Sequence, residues 1–145
     1  MKIVVTGALG HIGSHLTRRL PDFFPGCQVV MIDNLVTQRY PSLFNLPGKC
    51  RYKFIEGDVT TMELEPVFEG ADAVVQLAAI TDAASSFDHA DEVERVNFTA
   101  TERVANACIR TGAPMIMASS TSVYGTHENQ VDEDCSPEEL KPQSP

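Results

Sequence analysis

Residues 2–13 read Lys2-Ile3-Val4-Val5-Thr6-Gly7-Ala8-Leu9-Gly10-His11-Ile12-Gly13. The β-branched run predicts a short buried strand over Lys2–Thr6, which Gly7 interrupts. From about Gly10 to Leu20 a helix is expected, with Ile12, Leu16 and Leu20 on its inner face and Pro21 ending it. Strand, glycine turn and helix in succession can cradle a diphosphate. Gly7 permits the tight turn, Gly10 clears a side chain from the path of the anion, and Gly13 lets the helix lie close to the sheet. The first amides and the dipole of the helix then face the negative charge. His11, inside the turn, either touches phosphate or faces solvent.

Working outward, Val29-Val30-Met31-Ile32 forms a second expected strand and ends at Asp33, 20 residues beyond Gly13. A carboxylate there can accept hydrogen bonds from the ribose hydroxyls of an adenine dinucleotide, and it would repel a 2′-phosphate. Asn34, Leu35 and Val36 follow, with no cation among them, so NAD is favoured over NADP. Arg39 would soften that preference if it folded back. The plain alternative is that the glycines only shape a turn and Asp33 only caps a loop.

Residues 35–48 read as irregular or briefly helical. Arg51–Ile55 predicts strand three, Met62–Phe68 a short helix, Ala73–Leu77 strand four and Pro114–Ala118 strand five. The longest helix is expected over Ala90–Arg110. Val93, Val96, Ala100, Val104, Ala107 and Cys108 lie on its inner stripe, Glu92, Glu94, Arg95, Glu102 and Arg103 outside, and Gly112 is its cap. Apolar strands alternating with helices indicate a parallel, doubly wound α/β sheet.

Ligands of such a sheet cross the carboxyl ends of its strands. After strand three, Asp58 could accept from an adenine amine while Val59 packs on the ring; a structural turn is the equal alternative. Leu77, Ala78 and Ala79 after strand four leave room for the nicotinamide side, though close packing would select the same residues. Asn97, a polar residue on the inner stripe of the long helix, should tie that helix to a strand-end loop. Ser119 and Ser120 follow strand five, where a hydroxyl could orient a substrate or satisfy backbone groups.

The net charge of -9 argues against nucleic acid or an anionic membrane as partner. No apolar run reaches the roughly 20 residues of a membrane span, and no export signal is read at the N-terminus. Cys27, Cys50, Cys108 and Cys135 are scattered, so four reduced thiols in a cytoplasmic protein are expected, and no metal ligand set is read. From Gly125 to Pro145 periodicity is lost, and six acids face only Lys141.

These motifs, with Asp33-Asn34-Leu35, Gly57-Asp58-Val59, Leu77-Ala78-Ala79, Asn97 and Ser119-Ser120-Thr121-Ser122-Val123-Tyr124-Gly125, resemble the extended short-chain dehydrogenase/reductase family. The likeness is to its NAD-dependent nucleotide-sugar epimerases and dehydratases. It implies a Rossmann-type sheet truncated after about five strands: an incomplete NAD-binding domain over residues 1–124, then an acidic Pro/Ser-containing loop over 125–145 leading to the catalytic helix. It implies Ser120 as a catalytic hydroxyl. It also implies Gly7, Gly10, His11, Ile12, Gly13, Asp33, Asn34, Asp58, Val59, Leu77, Ala78, Ala79, Asn97 and Ser119 around NAD. A nucleotide-sugar substrate and a homodimer follow from the same likeness.

The family's base is a tyrosine followed four residues later by a lysine, whose charge lowers the phenol pKa. Here Tyr40, Tyr52 and Tyr124 are followed at that spacing by Phe44, Glu56 and Glu128. The expectation is therefore an N-terminal cofactor half, inactive alone and with apolar surface exposed at the sheet's end. Thr121 and Ser122, where dehydratases carry acids, favour epimerase or decarboxylase chemistry. Thr81, where some 4-epimerases carry lysine, counts against the common UDP-galactose type. A dehydratase, decarboxylase or hydroxy-dehydrogenase remains the alternative among enzymes, and a non-catalytic NAD-binding regulatory module outside them.

Overall fold

The computed structural model describes residues 1–81 and 90–119. Five strands lie in one parallel sheet: β1 (Lys2–Thr6), β2 (Gln28–Asp33), β3 (Arg51–Glu56), β4 (Ala73–Gln76) and β5 (Met115–Met117), ordered β3-β2-β1-β4-β5. The order reverses at β1, so the crevice beside the glycine turn is the topological switch point of the sheet.

Alternate strand residues divide the core. Ile3, Val5, Val29 and Met31 pack on one face with Leu20 of α1 (His11–Phe23). Val4, Val30, Ile32 and Val74 pack on the other with Leu64, with Phe68 of α2 (Glu65–Phe68) and with Ala100, Val104, Ala107 and Cys108 of α3 (Ala90–Thr111). The C-terminal part of the apolar stripe expected on the long helix is thus buried, while Val93 and Val96 are half-buried. Gly112 adopts φ +71° after α3, and Ala113 N–H donates back to Cys108 C=O at 3.1 Å, the closing bond of a left-handed cap. Burial raises the pKa of the Cys108 thiol above its ordinary value.

Several expectations need correction. Pro21 does not end α1, which continues to Phe23. A proline here leaves the carbonyl of Thr17 without its helical donor, and the Tyr52 hydroxyl supplies one at 3.2 Å from the neighbouring strand. The same burial raises the Tyr52 pKa, opposed by the Arg18 charge. The inner face of α1 is Gly13, Thr17, Leu20 and Pro21, with Leu16 half-buried against the same cluster as expected, while Ile12 is 66% exposed at the head of the helix. α2 begins at Glu65 rather than Met62, because Pro66 fits only the first turn.

The thiols also differ from expectation. Cys27 and Cys50 form a disulfide, with Cα atoms 5.1 Å apart. Register is the reason: Gln28 pairs with Arg51, so the residues just before them lie side by side at the start of β2 and β3. Cys108 is free and buried, and Cys135 lies outside the described residues. On the edge strand β5, Ile116 and Met117 are 58% and 52% exposed. No helix among the described residues is long and apolar enough to cross a membrane. The expected boundary at 124/125 and the acidic loop lie outside the described residues.

Candidate cofactor site

Because all five strands are parallel, their carboxyl ends share one rim, and the loops that leave them meet there. β1 delivers the glycine turn. Gly7 takes φ +62°, and a Cβ on it would stand 2.5 Å from the Leu77 carbonyl oxygen and 2.7 Å from Ala78 N. A side chain at Gly13 would overlap the Gly7 carbonyl and approach Ala8 Cα to 2.8 Å, so the helix packs on the turn itself. Gly10 differs: its Cβ would meet only the Gly7 oxygen, at 3.2 Å, and otherwise open space.

Gly10 is also the N-cap of α1 and offers no side-chain cap. The first helical bond runs from Ser14 N–H to Gly10 C=O at 2.9 Å. The amides of His11, Ile12 and Gly13 therefore have no helical acceptor, which makes this end a ready anion site. The bare glycine, the free amides and the exposed Ile12 and His11 fit a diphosphate.

The acid at the end of β2 is joined directly to this turn. Asp33 Oδ2 accepts Leu9 N–H at 3.0 Å, and Asp33 Oδ1 accepts Leu35 N–H at 3.0 Å. Leu35 is held at φ +59° with its side chain buried. Each carboxylate oxygen keeps a lone pair, enough for a pair of ribose hydroxyls. Asp33 thus fixes the turn and can still grip a ligand.

Further along the rim, Asn34 Nδ2 donates to Asp58 Oδ2 at 3.1 Å. Asp58 Oδ1 accepts from Thr60 Oγ1 at 2.6 Å and from Thr60 N–H at 2.8 Å. The Thr60 hydroxyl is the main cause of a lowered Asp58 pKa, with burial opposing it and Asn34 adding to it. Val59 is 5% exposed and belongs to the core cluster. Asp58 thus closes the turn after β3 and Val59 packs beneath it.

At the end of β4, Leu77 and Ala78 are half-buried and Ala79 is exposed. The Asn97 amide reaches across from α3: it accepts Ile80 N–H at 2.7 Å and donates to Ile80 C=O at 3.0 Å. The expected tie between helix and strand-end loop is this bidentate pair. Ser119 follows β5 and is exposed; Ser120 lies outside the described residues.

Sequence reasoning missed several side chains that shape the rim. The buried Thr6 hydroxyl donates to Gln76 Oε1 and accepts Leu77 N–H at 3.2 Å, while Gln76 Nε2 donates to Ala78 C=O at 2.9 Å. A glutamine closing the apolar strand Ala73-Val74-Val75-Gln76 was the available signal. Arg103, expected outside, instead donates to Val59 C=O at 3.1 Å and Met62 C=O at 2.8 Å. Arg39 lines a groove of about 340 Å³ with Leu9, His11, Ser14, Gln38, Pro41 and Ser42.

The family model for the NAD dependent epimerase/dehydratase family matches residues 3–145. The chain belongs to this family. The protein named "Uncharacterized UDP-glucose epimerase YtcB" from Bacillus subtilis (strain 168) is 36% identical over 155 residues, covering 100% of this chain and 47% of that protein. The UDP-glucuronic acid 4-epimerase from Bacillus cereus, solved with UDP-glucuronic acid and NAD, superposes with a TM-score of 0.83 at 30% identity, over 99% of this chain and 47% of that one. The UDP-N-acetylglucosamine 4-epimerase from Methanobrevibacter ruminantium M1, solved with UDP-N-acetylmuramic acid, gives a TM-score of 0.80 at 31% identity, over 94% and 45%. The chain spans less than half the length of each of these epimerase-family relatives.

Proposed function

We propose that this chain is the N-terminal, cofactor-binding portion of an NAD-dependent nucleotide-sugar epimerase. The observation that carries the reading is the 3.0 Å bond from Leu9 N–H to Asp33 at the uncapped head of α1. One carboxylate shapes the diphosphate turn and stands where the adenosine ribose would lie. The amides of His11, Ile12 and Gly13 hold the diphosphate, with Gly7 and Gly10 admitting it closely. Asn34, bonded to Asp58, lines the ribose side, and Asp58 with Val59 takes the adenine, the acid accepting from its amine. Leu77, Ala78 and Ala79 border the nicotinamide side, Asn97 holds that border in place, and Ser119 stands at the substrate side. Ser120 is the proposed catalytic hydroxyl that orients the sugar.

NAD supplies the acceptance and return of hydride, by which a sugar carbinol passes through a ketone. The proton of that carbinol needs a base, and no tyrosine here has a lysine four residues on. Turnover by the 145 residues alone is therefore not expected. The alternative enzyme chemistries are dehydration, decarboxylation or hydroxyl dehydrogenation, and residues of a substrate domain would separate them. A non-catalytic NAD-binding module predicts that Ser120→Ala leaves the biology unchanged.

The test is an NMR titration of the isotopically labelled chain with NAD. Shifts should centre on the amides of Gly7–Gly13 and Asp33. Asp33→Ala should weaken binding at least about tenfold, since charge-assisted bonds contribute about 1.5–3 kcal/mol each. Unmoved amides at saturating NAD would refute the cofactor reading.

A further inference from the structure

The connection between β2 and β3 contains only a 3₁₀ turn, Tyr40–Leu43, and its backbone is held in an unfavourable shape. Gln38 sits at φ +53°, a region that its side chain adopts at a cost, and Asn45 sits at the same angle, which asparagine tolerates better. The fastening comes from Arg18, on the second turn of α1. Its Nη1 donates to Asn45 C=O at 3.0 Å, and its Nη2 donates to Phe44 C=O at 2.7 Å and to Ser42 C=O at 3.2 Å. Ser42 Oγ then donates to Leu9 C=O at 3.2 Å, inside the glycine turn. Leu9 N–H reaches Asp33 in the step already described.

We propose that Arg18 is a positioning residue for cofactor affinity: it pins the loop that walls the groove beside the head of α1. This rests on the cofactor reading above. Arg18 stands seven residues along the helix from His11, about 10 Å, so it acts through the loop and not by touching the diphosphate. The groove has one wall from Leu9, His11 and Ser14 and the other from Gln38, Arg39, Pro41 and Ser42 of the pinned segment. Three carbonyls from three loop residues suit the planar, multi-donor guanidinium. A lysine ammonium offers a point charge that cannot span all of them.

The experiment pairs NAD titration with amide hydrogen exchange on the labelled full chain. Arg18→Gln should weaken NAD binding about tenfold, the loss of one charge-assisted bond's worth of order. It should also speed exchange at the Ser42 and Phe44 amides, which bond to Arg39 and Pro41, while Ala8, bonded to Ile32, keeps its protection. Arg18→Lys should recover part of the affinity. Ser42→Ala, which cuts only the link to Leu9, should weaken binding about threefold, and the double variant should fall short of the product of the two. The surface variant Lys49→Gln controls for charge.

If the wild-type chain shows no NAD shifts, the cofactor reading fails and the inference falls with it. If wild type binds and both Arg18→Gln and Ser42→Ala stay within twofold, the inference alone is overturned. A drop in melting temperature with unchanged affinity would reduce Arg18 to a merely stabilising residue and overturn it too. Should Arg18→Gln not fold, the Ser42→Ala affinity decides.

Discussion

Asn97→Asp changes one atom group and leaves the shape of the side chain intact, which makes it a sharp probe of the tie between α3 and the β4 loop. The amide accepts Ile80 N–H at 2.7 Å and donates to Ile80 C=O at 3.0 Å. A carboxylate keeps the first bond and strengthens it by about 1 kcal/mol. The second bond, about 1 kcal/mol, is lost, and an anionic oxygen now faces a carbonyl in a half-buried site, at about 1–3 kcal/mol. The net loss is about 2 kcal/mol at pH 7, or roughly 6 °C in Tm for a chain of this size. Protonation restores a donor. The repulsion raises the folded pKa of the introduced carboxyl above its unfolded value of about 3.9. The deficit is therefore full above the raised pKa and vanishes as pH falls below the unfolded one. Guanidinium denaturation of wild type and Asn97→Asp at pH 7 and at pH near 4 reads both quantities. Equal stability at pH 7, or a deficit that does not shrink in acid, would refute the bidentate pairing.

Gly7→Ala should cost about 3 kcal/mol or more, because it adds a left-handed penalty to a backbone overlap with Leu77, whereas Gly48→Ala, with nothing within 4 Å, should stay within about 0.5 kcal/mol; denaturant midpoints compare them. The Asp58 contribution to stability, from a carboxyl whose pKa is lowered by Thr60, is present above the ordinary value of 3.8 and lost as pH falls through the folded one. The stability gap between wild type and Asp58→Asn should accordingly close in acid, and a gap constant from pH 6 to 2.5 would contradict it. Reducing Cys27–Cys50, which closes a loop of sequence separation 23, should destabilise the fold by about 3 kcal/mol in the chain-entropy account. Peptide mapping without reductant should recover residues 27 and 50 linked, and two separate thiols would refute the pairing.

Local signals made much of the site legible. The strand-turn-helix of residues 2–13 and the acid that ends β2 are set by short-range rules, and the structure joins them through Leu9 and Asp33. The helical period of residues 90–111 likewise marked the stripe that faces the sheet, and singled out Asn97 as an inward amide in want of partners. Asp58 and Val59 were ambiguous because a turn and a ring contact select similar residues. The bonds of Asp58 to Thr60 and the burial of Val59 show how the turn is built, and a ring contact at the same rim is a matter for the NAD titration.

What sequence by itself determined was the set of elements and the kind of ligand their junctions suit, since a turn, a cap or a helix face is written within a few residues. Only the tertiary structure decided which distant groups complete each other. Tyr52 supplies the donor that Pro21 withholds from Thr17, across 35 residues, and Thr6 meets Gln76 across 70. Arg18 reaches the loop at Asn45, and Cys27 finds Cys50. Each pairing depends on the parallel register and on how α1 lies against it, quantities fixed by the packing of the whole core and carried by no single stretch of chain.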